Sequence, residues 1–235
     1  MLTIKNVSAS LGAKEIIKNI NIKVGPGEVH ALIGPKRSGK STLAHLISGH
    51  PALTQTEGTV SFKNKNLAKL NASGRAKLGI YTTFQHPPEI QGQKNIDIVL
   101  NVLRSKKDKR SDQEIEKDYK VLATMLELRP NHGSLLMDYD VMSPSEFRKN
   151  ELLQMLMFDP DLVIIDEVDL DMDDDELASV GAVLSSFVDD KKSMILITNN
   201  KKLLEMVTPD NVHLMAEGEI KANGGPELYK RIVEE

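Results

Sequence analysis

The stretch Gly34-Pro35-Lys36-Arg37-Ser38-Gly39-Lys40-Ser41-Thr42 decides how this chain is read. It fits G-x-x-x-x-G-K-[ST], the phosphate-cradling P-loop. An apolar run (Val29, Ala31, Leu32, Ile33) precedes it and a helical pattern (Leu43, Leu46, Ile47) follows, the strand-to-helix setting that the motif requires. In such a setting loop amides and a helix N-terminus face anionic oxygens, Lys40 reaches the β- and γ-phosphates, and the Ser41 hydroxyl can ligate magnesium. The residues from Gly34 to Thr42 are therefore expected to hold a nucleoside triphosphate.

A P-loop needs a metal-anchoring carboxylate on a neighbouring strand. Leu162-Val163-Ile164-Ile165-Asp166-Glu167 offers an apolar strand ending in two acids. Asp166 is expected to hold the metal and Glu167 to polarise the attacking water. Successive side chains of a strand point opposite ways, which predicts the divergence these two roles need. The acids continue through Asp169, Asp171, Asp173, Asp174, Asp175 and Glu176, but a calcium loop starting at Asp169 would need Gly where Asp174 stands and Glu where Val180 stands. The run from Asp173 to Glu176 reads instead as a helix start, where carboxylates favour the dipole.

With 235 residues, 40% of them hydrophobic, the chain suits one large domain or a core with an inserted lobe, and a disordered chain is excluded. A net charge of -4 gives no global pull toward nucleic acid. Absence of Cys removes thiolate metal sites and cysteine nucleophiles, and the six His (His30, His45, His50, His86, His132, His213) lack ligand spacing. Met1-Leu2-Thr3-Ile4-Lys5-Asn6 is not a basic region leading to an apolar core, and no apolar run approaches the ~18 residues of a membrane span. These features predict a soluble, cytoplasmic protein with no direct membrane insertion and no nucleic-acid partner.

Patterning predicts strands over Leu2 to Val7, Ile16 to Val24, Gly58 to Lys63 and Gly79 to Phe84, the first two forming an antiparallel layer. Two prolines keep Gln85-His86-Pro87-Pro88-Glu89-Ile90 from being helical. From about Asn95 to Phe158 the pattern is helical throughout, with the basic run Arg104 to Arg110 as a solvated turn. Strands Leu162 to Ile165, Met194 to Thr198 and Val212 to Met215 then alternate with helices Glu176 to Val188 and Lys201 to Met206. Such alternation around a P-loop implies an α/β fold with a mostly parallel sheet and the nucleotide at the strand C-termini.

The order strand, P-loop, Gln85 loop, helical insert, Ser143 motif, Asp166-Glu167 and a strand ending Thr198-Asn199 resembles the ATP-binding cassette (ABC) ATPases. Gly27-Glu28-Val29-His30-Ala31, Phe84-Gln85-His86-Pro87-Pro88-Glu89-Ile90 and Arg148-Lys149-Asn150-Glu151-Leu152-Leu153-Gln154-Met155 narrow the likeness to SufC, the ATPases of SUF iron–sulfur cluster assembly. The resemblance implies a P-loop NTPase of ABC type, with a catalytic α/β core at 1–84 and 159–235 and a helical subdomain inserted at 85–158. It implies ATP and Mg2+ as cofactors, Gln85 as a catalytic and metal-contacting residue, and Ser143 and Asp173 as nucleotide contacts. Asn199 stands at the catalytic switch position. SufB/SufD-like scaffold subunits and a nucleotide-dependent homodimer are the implied partners.

Three departures from that family's pattern stand out, and the first two predict reduced turnover. Ser143-Pro144-Ser145-Glu146 replaces Ser-Gly-Gly-Glu, and proline has no N–H to offer a phosphate; read locally, the four residues form a capping box. Asn199 replaces a histidine and cannot shuttle a proton. Lys36-Arg37 replaces Asn-Gly, adding cations and bulk. No aromatic stands near Leu11 to stack on a base. Two further readings stand beside a slow ATPase: a nucleotide-gated structural subunit, and the ATPase of a membrane ABC transporter.

Overall fold

Alternating apolar residues open the chain as an antiparallel layer. In the computed structural model, which describes residues 1–85 and 89–233, β1 (Leu2–Leu11) pairs with β2 (Lys14–Val24), and β3 (Val29–Ile33) runs through the P-loop into α1 (Lys40–Ser48). β4 (Leu53–Phe62) returns to β1, β5 (Lys65–Asn66) lies beside β4, and α2 (Ala72–Lys77) and β6 (Ile80–Thr82) follow. Next come β7 (Ile90–Lys94), α3 (Asn95–Ser105), α4 (Asp112–Met125), β8 (Leu136–Met137) and α5 (Pro144–Phe158). The chain ends with β9 (Leu162–Asp166), α6 (Asp174–Phe187), β10 (Ser193–Ile197), α7 (Lys201–Val207), β11 (Asn211–Ala216), β12 (Glu219–Gly224) and α8 (Pro226–Val233).

The main sheet has the order β12-β11-β3-β10-β9-β6, parallel except for the β11–β12 hairpin, and β2-β1-β4-β5 forms a separate antiparallel sheet. Both faces of the main sheet are covered, which is why its central strands read as unbroken apolar runs. Val29, Ala31, Ile33, Val163 and Ile165 face a core shared with α5, α6 and α7. Leu32, Leu162, Ile164, Ile195 and Ile197 face a second core formed with α1 and the antiparallel layer. The fold is thus the α/β P-loop type that the motif order predicts.

One expectation needs correction. The region from Asn95 to Phe158 is not helical throughout, because β8 pairs antiparallel with β7 in a small ribbon. Gln91, Gly92, Gln93 and Lys94 are exposed and carry no apolar alternation, so nothing local announces that ribbon. The basic run is, as expected, a largely exposed turn between α3 and α4, and surface contacts pin it. Arg104 pairs with Asp112 at 2.5 Å, Arg110 bridges Asp108 and Asp118 at 2.8 Å each, and Lys106 caps the Phe158 carbonyl.

α5 has no apolar stripe. It is buried on nearly every side, including the polar residues Arg148, Lys149, Asn150, Glu151 and Gln154. Most of these groups have partners, as an interior demands: Arg148 donates to Leu170 O at 2.5 Å, Lys149 meets Glu176 at 3.1 Å, and Asn150 bonds His132 and Asn95, whereas Gln154 Nε2 has none among the described residues. Among the described residues no helix is long and apolar enough to cross a membrane.

Candidate active site

Gly34 leaves β3 with φ +140°, and a Cβ there would fall 2.0 Å from Met215 O, so only glycine lets the P-loop lie against β11. Gly218 N–H from the β11–β12 turn donates to Ser38 O at 2.9 Å, bracing the loop from the same side. Gly39 then caps α1 in a left-handed conformation. Between the glycines, Arg37 also sits left-handed at φ +66°, a conformation that disfavours a residue with a Cβ by about 1–2 kcal/mol. Lys40 Nζ folds over the loop and donates to Gly34 O at 2.9 Å, Pro35 O at 3.0 Å and Ser38 Oγ at 3.4 Å. Burial lowers the Lys40 pKa, an effect that Glu167 and Asp166 oppose.

Lys36, Arg37, Ser38, Gly39, Lys40, Ser41 and Thr42 line an open cleft of about 530 Å³, with Gln85, Glu167 and Leu170 across from them. Lys14 and Ile16 also line the cleft, which has no aromatic residue in its described lining. Ser41 Oγ donates to Asp166 Oδ1 at 3.2 Å, while Asp166 Oδ2 is buried without a hydrogen-bond partner. Burial pushes the Asp166 carboxyl up to about 6, and Glu167 adds to this, whereas Ser41 and Lys40 offset part of it. A buried carboxylate oxygen without a donor, beside a hydroxyl, has the hard-oxygen chemistry of a magnesium ligand set. The residues present therefore fit the ion.

Asp166 and Glu167 do diverge, but by a different device from the one predicted. β9 ends at Asp166, and Glu167 turns into the left-handed region at φ +48°, with its N–H held by Ile197 O at 2.9 Å. Its carboxylate accepts from Gln85 Nε2 at 2.6 Å. Thr83 is a residue that motif reading missed: its Oγ1 accepts the Asp166 N–H at 2.9 Å and so fixes the strand end that presents both acids. The neighbouring His86, Pro87 and Pro88 lie outside the described residues.

Asn199 lies behind the loop rather than in the cleft. Its Oδ1 accepts from Gly34 N–H at 3.0 Å and its Nδ2 donates to Gly34 O at 2.9 Å, so the amide clamps both polar groups of one glycine. An imidazole cannot reproduce that two-sided clamp in one plane. Ser143 and Asp173 are each the N-cap of a helix outside the cleft. Ser143 Oγ accepts from Glu146 N–H at 3.2 Å, Glu146 returns to Ser143 N–H at 2.9 Å, and Pro144 occupies the first helical position, the capping box that the local sequence predicts. Arg129 holds the same Glu146 at 2.6 Å. Asp173 accepts from Glu176 N–H at 2.9 Å and starts α6, as the acidic run predicts.

Residues 17–169 match the ABC transporter family. The chain is 35% identical over 237 residues to the "Probable ATP-dependent transporter ycf16" of Cyanophora paradoxa, covering 99% of this chain and 91% of that one. It is 35% identical over 239 residues to the "Probable ATP-dependent transporter SufC" of Escherichia coli K12, covering 100% and 96%. Among solved structures, a dimeric bacterial ABC transporter cassette superposes with a TM-score of 0.84 at 21% identity, covering 96% of this chain and 99% of that one. From its sequence relatives and its fold together, the chain belongs to the ABC transporter family of ATPases, and within it to the SufC/ycf16 type.

Proposed function

We propose that this ABC ATPase binds Mg-ATP along the P-loop, hydrolyses it slowly, and drives conformational change in a SufB/SufD-like scaffold of iron–sulfur cluster assembly in the cytoplasm. The observation that carries the reading is the Ser41–Asp166 contact at 3.2 Å, with Asp166 Oδ2 buried and unpartnered beside the cleft. Backbone N–H groups from Lys36 to Thr42, with Lys40 Nζ, would bind the phosphates of a nucleotide lying against the loop that runs from Gly34 and Pro35, and Ser41, Gln85 and Asp166 would hold the metal. Magnesium, when bound, neutralises charge on the β- and γ-oxygens. Glu167 accepts a proton from the attacking water at its carboxylate, and Gln85, bonded to Glu167 at 2.6 Å, orients that carboxylate. Ser143 and Asp173 are the residues that a second copy would present across a nucleotide-dependent homodimer. The helical region at 85–158 is the subdomain that meets the scaffold, with 1–84 and 159–235 as the catalytic core.

Slow turnover follows from two geometries. Pro144 presents no N–H at the helix start, and the Asn199 amide is engaged with Gly34. A positioned acid–base group contributes about 10²–10⁴-fold, so the lack of a switch histidine lowers turnover by a factor in that range. Single-turnover phosphate release at saturating Mg-ATP tests the enzyme reading: release no faster than in a Glu167→Gln control refutes it. The same two geometries favour a second reading, a nucleotide-gated structural subunit. Restoring Gly at 144 and 145 and His at 199 separates the two, since a large rise in turnover marks the native chain as catalytically relaxed. The two relatives named above are called probable transporters, so recovery of the tagged chain with a membrane fraction instead of soluble scaffold subunits would move the assignment to a transporter ATPase.

A further inference from the structure

On the way to Gln85, Thr83 N–H donates to Ile164 O at 2.9 Å, and the Phe84 ring is 42% exposed. The last backbone anchor before Gln85 is therefore the Phe84 N–H, and it is held by a side chain from α5: Glu151 accepts it at 3.1 Å through Oε1 and 3.3 Å through Oε2. Tyr81 OH donates to the Glu151 carbonyl at 3.0 Å, so β6 and α5 are joined at the same point. Glu151 is 4% exposed, and among the described residues no cation stands within ion-pair distance of it. Arg148, Lys149 and Asn150 bind the Leu170 loop, α6 and the α3 side of the lobe, whereas Glu151 holds the strand-to-loop exit that leads to Gln85.

We infer that Glu151 is a positioning residue for Gln85: by gripping the Phe84 N–H it fixes where the Gln85 amide stands against Glu167. A carboxyl buried without a cation is costly, and it is retained here on a backbone donor one residue from a group facing the cleft. Its carboxyl is pushed by burial up to about 8. Glutamine keeps an acceptor oxygen at this place without a charge, and alanine removes it. The inference rests on the ATPase reading for its kinetic consequence, but not for its structural one.

The test uses the full chain as Glu151→Ala, Glu151→Gln, Gln85→Ala and the Glu151→Ala/Gln85→Ala double variant. Without nucleotide, amide exchange at Phe84 is expected to speed up about ten-fold in Glu151→Ala, the worth of one neutral hydrogen bond, and to stay within about three-fold of the parent in Glu151→Gln. In steady-state turnover Glu151→Ala is expected to lower kcat about ten-fold with KM little changed, and to add nothing to Gln85→Ala. Unchanged exchange at Phe84 in Glu151→Ala, or a full loss of kcat on the Gln85→Ala background, overturns the inference. Absence of Mg-ATP binding by the parent chain in calorimetry would refute the ATPase reading instead, and the exchange result would still decide the role of Glu151.

Discussion

Glu151 also makes a stability prediction that is independent of turnover. Burial raises its carboxyl from the ordinary 4.5 to about 8, against the smaller opposing effects of the Phe84 N–H and Arg148. Because the folded pKa lies above the unfolded one, the unfolded chain ionises first as pH rises. Stability then falls by about 1.4 kcal/mol per pH unit from 4.5 up to about 8, and the loss is complete above that. Glu151→Gln is neutral throughout. The variant is therefore expected to exceed the parent by less than about 1 kcal/mol near about pH 5 and by about 4 kcal/mol near about pH 7.5. In a chain of this size that gain raises the thermal midpoint by about 8–16 °C. Calorimetric melts of both proteins without nucleotide at the two pH values measure it, and acid effects elsewhere cancel in the comparison. A gap that is the same at both pH values, or a variant less stable at the higher one, would show that the carboxyl is not desolvated as its burial requires.

Arg37→Gly releases the left-handed strain at φ +66° and is expected to raise stability by about 0.5–1 kcal/mol after glycine's own entropy is set against it, read as a higher urea midpoint. Ser143→Ala removes the side-chain acceptor of the α5 capping box and should lower stability by about 1 kcal/mol; an unchanged melt would mean that Pro144 and Arg129 already hold the helix start. His30 Nδ1 lies 2.8 Å from His213 Nε2 inside the β3–β11 seam, with Glu28 at one end of the chain of contacts and Asn223 at the other. Burial lowers the His213 pKa, so the stability linked to its neutral form is present above about 6.5 and is lost as pH falls. His213→Asn should flatten the drop in urea midpoint between about pH 7 and about pH 5, whereas a slope equal to the parent's would assign the acid sensitivity elsewhere.

What the sequence made legible is what chemistry writes into adjacent residues. The P-loop, the Asp166-Glu167 pair and the helix caps at Ser143 and Asp173 each depend on spacings of a few positions, and local physics suffices to find them. The β7–β8 ribbon escaped because its residues are exposed and its register comes from pairing across the whole α3–α4 region. Thr83 and Glu151 escaped for a related reason. A threonine before a loop and a glutamate within a polar helix carry no pattern, and their roles exist only because β6, β9 and α5 meet. The same holds for His30 and His213, which are scattered in sequence and hydrogen-bonded in space.

The Asn199 clamp links these two kinds of information. Its amide joins the end of β10 to the first glycine of the P-loop, while Gly218 N–H and Met215 O press on that loop from β11 and its turn. The phosphate cradle is thus held from the sheet side by three separate contacts before any ligand arrives, and Lys40 Nζ is satisfied by the loop's own carbonyls. A preorganised loop favours tight nucleotide binding because little ordering remains to be done on association. The same clamp takes from position 199 the freedom to follow a γ-phosphate, so the proposed ATPase reading predicts both tight binding and slow turnover from one hydrogen-bonded amide.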